Sequence, residues 1–116
     1  MRFVRLLPLL LLLPALPAAE LSQVDVFRAG EGGYHTYRIP ALAVTKSGAL
    51  LAFCEGRRGG RGDSGDIDLL LKRSRDNGRT WSDPQVVADF GDDTIGNPAP
   101  VVDRKTGTIL LLLTRN

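Results

Sequence analysis

Cysteine and histidine are almost missing from this chain: Cys54 and His35 stand alone among 116 residues. A single thiol excludes an internal disulfide framework and any cysteine-rich zinc site. Cys54 lies in the apolar run that begins at Ala49, where it reads as a small buried hydrophobe. A nucleophilic thiol there would need a base, and His35 is the one histidine on offer. An excess of one charge is missing too. Arg2 and Arg5 fall within the first 19 positions, so 13 of the 15 basic residues remain against all 13 acidic ones. Such a balance argues against nucleic acid or a polybasic membrane contact as the main partner.

Long apolar runs are scarce as well. Leu6–Leu13, interrupted by Pro8, is too short to cross a bilayer as a helix. With Arg2 and Arg5 before it and Pro14-Ala15-Leu16-Pro17-Ala18-Ala19 after it, the segment reads as a signal peptide over residues 1–19. Cleavage after Ala19 is favoured over an uncleaved anchor, because Pro14 and Pro17 break the helix an anchor needs. The sequence therefore predicts an exported protein (periplasmic, secreted or cell-surface) with no membrane span after cleavage. No amphipathic helix succeeds the leader.

Short apolar runs with turn residues between them make up the rest of the chain. Val24–Phe27, Arg38–Thr45, Ala49–Glu55, Asp66–Ser74, Gln85–Ala88, Pro98–Asp103 and Thr108–Thr114 read as strands. Lys46-Ser47-Gly48 and Arg104-Lys105-Thr106-Gly107 read as turns, and Gly56–Gly65 as a long charged loop. The rhythm of Arg38–Glu55 begins again at Pro98, as expected of a β-propeller blade succeeded by part of a second. One blade has two apolar faces and cannot bury both alone. The run Thr108–Asn116 ends with no turn or partner after it, so the chain is expected to be a truncated, N-terminal piece.

Ser74-Arg75-Asp76-Asn77-Gly78-Arg79-Thr80-Trp81 is the most specific stretch. Asp76 is expected to cap the backbone two residues on, and Asn77 and Gly78 tolerate positive φ. Ser74 and Thr80 close the turn by their hydroxyls, while Trp81 has the bulk to bury beneath it. Three further places carry polar residues that turns do not explain. Arg38, in Tyr37-Arg38-Ile39-Pro40, reads either as a snorkelling surface arginine or as a carboxylate ligand pointing into a pocket. The loop Glu55–Asp63 offers arginines for anions and Asp63 as a general acid, or is a solvated charged loop. The Walker spacing is absent from it, and Arg61-Gly62-Asp63 is too short a match to count as an adhesion motif. Asn97, in Gly96-Asn97-Pro98, is placed like Arg38 at the start of a strand, or serves as an Asn-Pro turn.

The spacing Ser-x-Asp-x-Gly-x-Thr-Trp resembles the Asp-box repeat of sialidases and some other β-propellers. Together with the three polar places, over residues 24–116, the chain resembles the exo-α-sialidase (neuraminidase) family, most of all its secreted bacterial members. The resemblance implies an all-β, six-bladed propeller, with residues 20–116 as the N-terminal part of the catalytic domain. Its Asp box (Ser74, Asp76, Gly78, Thr80, Trp81) would be structural and remote from the pocket. Arg38 would grip the sialic acid carboxylate, and Arg57 would sit near that carboxylate and the ring's 4-hydroxyl. Asp63 would be the acid/base, with Asp66 as a weaker alternative, and Asn97 would contact substrate. Sialylated glycans would be the substrates, hydrolysed with retention by a tyrosine nucleophile, since a carboxylate nucleophile would be repelled by the substrate's own. That tyrosine, its glutamate and two more arginines would lie beyond Asn116, because Tyr34 and Tyr37 occupy the wrong strand positions. No cofactor or metal is implied. The competing expectation is a non-catalytic Asp-box propeller that binds a glycan or a protein.

Overall fold

The computed structural model describes residues 21–116, which form six strands and no helix. The expected signal peptide at 1–19 lies outside the described residues. Four antiparallel strands make the first sheet in chain order: β1 (Thr36–Val44), β2 (Leu50–Arg57), β3 (Ile67–Ser74) and β4 (Gln85–Ala88). β5 (Ile95–Val102) and β6 (Ile109–Arg115) pair as a second sheet. Turn chemistry joins them where expected, with Gly48 (φ 90°) between β1 and β2 and Gly107 (φ 82°) between β5 and β6.

The central strand β2 is buried along almost its whole length and β3 from Ile67 to Leu71, and each carries a continuous apolar run, Leu50–Cys54 and Leu69–Leu71. One face carries Leu51, Phe53, Leu69 and Leu71, which close on Ile95 and on Leu111 and Leu113 of the second sheet. The other carries Cys54 opposite Leu70 and Gly56 opposite Asp68. The N-terminal segment covers that face: a Cβ on Gly56 would lie 2.7 Å from the Tyr34 ring and 2.8 Å from Leu70. Phe27 packs against Tyr37 at 5.2 Å between ring centroids, yet Val24–Phe27 forms no strand, against expectation, and bends at Val26 and Phe27. These residues pair with no neighbouring backbone ladder; they cover by side chains instead.

β2 also runs further than its sequence suggests. It continues through Gly56 and Arg57, which pair with Asp68 and Ile67, so the long loop is shortened to residues 58–66. β1 and β5 share a second irregularity. Each has a bulge, between Arg38 and Ala41 and between Gly96 and Ala99. At each bulge the residue before proline adopts a left-handed backbone, Ile39 at φ 54° and Asn97 at φ 53°. For a β-branched residue such as Ile39 this conformation is strained.

Candidate functional site

Arg38, Glu55 and Arg57 meet at one end of the first sheet, and strand alternation puts the two β2 residues on one face. Glu55 and Arg57 are two apart on β2 and share the face that carries Phe53, while Arg38 stands opposite Glu55 on β1. The loop 58–66 folds back over this end, and β5 brings Asn97 to it. A cavity of about 290 Å3 results, lined by Arg38, Glu55, Arg57, Asp63, Asn97 and Thr114 among others. All four expected pocket residues, Arg38, Arg57, Asp63 and Asn97, thus meet in one place.

Their environments differ sharply. The Arg57 side chain is 4% exposed, whereas Arg38 is 43% exposed and Asp63 80% exposed. Arg57 donates through Nε and Nη2 to Glu55 Oε2, at 3.1 and 2.6 Å. Its Nη1 turns outward and donates to Arg61 O (2.9 Å), Gly62 O (2.6 Å) and Asp63 Oδ1 (2.7 Å). Arg38 reaches the same carboxylate oxygen through Nη1 at 2.6 Å. Asp63 therefore lies across both arginines. The hydrogen bond from Arg57, together with the Arg38 and Arg57 charges, holds its carboxyl below the usual carboxylate range. Asp66, the alternative acid, sits at the loop's far end, 3.2 Å from Arg58 Nε.

Asn97 is exposed, donates its side-chain amide to Thr114 Oγ1 at 3.0 Å, and gives its backbone N–H to Glu55 Oε1 at 3.0 Å. Its expected equivalence with Arg38 needs correction. Matched by bulge and proline, Asn97 corresponds to Ile39, and the counterpart of Arg38 is Gly96.

Sequence reasoning missed the role of Glu55, because it ended β2 at that residue and assigned Arg57 to a loop. Extending the strand by two residues would have placed the two on one face. It also missed a buried cluster beside the site. Asp68, fully buried, accepts from Tyr34 Oη at 2.6 Å and Arg58 Nη2 at 2.7 Å, and its Oδ1 has no partner among the described residues. Burial and the Asp68 hydrogen bond push the Tyr34 phenol up, and burial raises Tyr37 also. Neither phenol is set up to ionise as a nucleophile must.

The Asp box lies at the opposite end of the same strands. Ser74 pairs with Leu50, seven residues from Arg57 along β2, or about 23 Å at the usual rise per residue. Asn77 and Gly78 do take positive φ, at 59° and 84°. Asp76 caps further on than expected: it accepts from the Thr80 N–H at 2.9 Å and the Thr80 hydroxyl at 2.6 Å, four residues away. Ser74 Oγ accepts from the Gly78 N–H at 2.8 Å, and Trp81 is half-buried, donating Nε1 to Gly78 O at 3.1 Å.

Cys54, buried and with its thiol pushed up to about 11 by burial, donates Sγ–H to Arg38 O at 3.1 Å. It behaves as the apolar filler expected. Among the described residues no His/Cys/Asp/Glu cluster has metal-binding geometry, and no helix is long and apolar enough to cross a membrane.

No family model matches the chain. Similar curated proteins include an exo-alpha-sialidase of Arthroderma benhamiae, 40% identical over 105 residues, covering 85% of this chain and 25% of that protein. A sialidase of Micromonospora viridifaciens is 42% identical over 103 residues, covering 83% and 16%. Among solved structures, a Hadza microbial sialidase aligns with a TM-score of 0.67 and 34% identity, over 73% of this chain and 18% of that one. The chain thus spans a quarter or less of the length of these three relatives.

Proposed function

From the premise that the chain belongs to the sialidase family, we propose that it supplies one wall of an exo-α-sialidase active site. The observation that carries this is the meeting of Arg38, Arg57, Asp63 and Asn97 at one cavity. Only Nη1 of Arg38 is engaged among the described residues, so its guanidinium has donors left for a planar carboxylate. Arg57 forms the inner wall, and Asn97 presents its amide from the second sheet. In this reading the substrate carboxylate replaces that of Asp63 on Arg38. Asp63, relieved of one positive neighbour, takes up a proton and delivers it to the leaving glycosidic oxygen.

The nucleophile in this reading is a tyrosine outside these 116 residues, paired with a glutamate, and two successive displacements give retention. The substrates are terminal α-linked sialic acids of glycoconjugates. The protein is exported through its N-terminal leader. A non-catalytic glycan-binding propeller is the second reading, supported by the resting state of Asp63, whose ionised form suits an ion cluster better than an acid.

The experiment compares the full-length protein with its Asp63→Ala variant on sialyllactose and on an aryl sialoside. Release of sialic acid by the parent is expected. The variant should lose about a hundredfold or more in kcat on sialyllactose and far less on the aryl substrate, whose leaving group needs little protonation. Equal losses on both would remove Asp63 from the acid role. Binding without turnover by the parent would favour the non-catalytic reading.

A further inference from the structure

We infer that Glu55 is a positioning residue. Its buried carboxylate fixes Arg57 so that the outer nitrogen of that guanidinium gathers the loop 58–66 and holds Asp63 at the cavity. The inference rests on the sialidase reading for what Asp63 then does, but its geometry is independent of that reading.

Glu55 and Arg57 are each 4% exposed, and they form an ion pair at 2.6 Å. A buried pair of this kind is a weak source of stability, since desolvation offsets the attraction. Orientation is what it supplies well, because a guanidinium held at two nitrogens cannot rotate. Both carboxylate oxygens of Glu55 are used, Oε2 by Arg57 and Oε1 by the Asn97 N–H. Room for the carboxylate comes from Gly96, where a Cβ would collide with Glu55 Oε1.

The donors of Arg57 decide how it acts. A guanidinium has five N–H groups. Nε and one hydrogen of Nη2 go to Glu55, and both hydrogens of Nη1 are taken by Arg61 O, Gly62 O and Asp63. One N–H is left, on a side chain that solvent barely reaches. Bidentate capture of a substrate carboxylate is therefore the work of Arg38, and Arg57 acts through Asp63. Glu55 stands one step further back and sets both the loop and, through Asn97, the edge of the second sheet.

The test uses two variants of the full-length protein. Glu55→Gln keeps the shape and removes the charge. Gly96→Ala keeps every charge and pushes the carboxylate aside, which preserves the test where the first variant folds poorly. Two readouts are taken: kcat and KM on sialyllactose and on an aryl sialoside, and the rate of tryptic cleavage after Arg61.

Both variants are expected to lower kcat on sialyllactose by about tenfold or more, with KM changed less than about threefold. The aryl substrate should lose less, and cleavage after Arg61 should quicken about tenfold as the loop opens. A raised KM with kcat preserved would overturn the inference and return Arg57 to substrate binding. Unchanged cleavage would overturn it as well. If the parent protein releases no sialic acid from either substrate, the sialidase reading falls and the cleavage rates alone decide the positioning role.

Discussion

In the free chain Asp63 is held as a carboxylate by Arg57 and Arg38, the opposite of what an acid needs. The sign of the effect is definite. A depressed carboxyl pKa favours the folded loop above the unfolded value, and that contribution is lost as the pH falls through the lowered one. A carbon-detected NMR titration of the full-length protein should place the Asp63 carboxyl below the ordinary value of about 3.9. Adding a non-hydrolysed sialic acid analogue should move it upward, because the ligand carboxylate competes for Arg38. An unchanged value would mean that Asp63 and the ligand do not share that arginine. Cys54 gives a simpler test: with its thiol near 11 and buried, iodoacetamide at neutral pH should label it only after unfolding. At this scale much of the candidate site was legible, since Arg38, Arg57, Asp63 and Asn97 each belong to a spaced motif and line one cavity. Glu55 was hidden because its role comes from sharing a strand face with Arg57, and that depends on where β2 ends.

Each strand from β1 to β6 was legible to within three residues at either end, because apolar runs alternate with glycine turns. The errors arose where side chains did the work of a backbone ladder, at Val24–Phe27, and where glycine and charge persist inside a strand, at Gly56 and Arg57. The Asp box shows how a turn can be specified by side-chain hydrogen bonds around a buried serine. Ser74 is 1% exposed and satisfies the Gly78 N–H, so Ser74→Ala leaves that donor unpaired. A loss of about 1–3 kcal/mol in stability is expected by chemical denaturation, with kcat on sialosides unchanged, because the pocket is at the other strand end. Asp76, pulled down to about 2 by the Thr80 hydroxyl and N–H, adds an acid limb. Its contribution is present above the ordinary carboxyl value and disappears as the pH falls toward 2. Asp76→Asn should flatten that limb in Tm measured against pH.

At the scale of the whole molecule, several large apolar side chains among the described residues are left exposed. Leu42, Leu112, Leu110 and Val101 are 71, 64, 57 and 54% exposed. A blade has this need for neighbours built into its two-faced sheet. Residues 21–116 expressed alone should therefore self-associate on size-exclusion chromatography and bind a hydrophobic dye, whereas under the proposed function a protein that carries the remaining blades does neither. A monomeric, dye-silent fragment would show that one sheet and a hairpin suffice. The repeat that makes the propeller legible is a likeness between strands, and the bulges make it closer than the sequence suggests, since Ile39-Pro40 and Asn97-Pro98 bend alike. That likeness is one of backbone and does not extend to the side chains. Where β1 carries Arg38, β5 carries Gly96, and the volume a side chain would take there is filled by Glu55. An arginine at both positions would leave no socket for that carboxylate. The cavity thus depends on a broken symmetry, and a consensus redesign that made the blades identical would erase it.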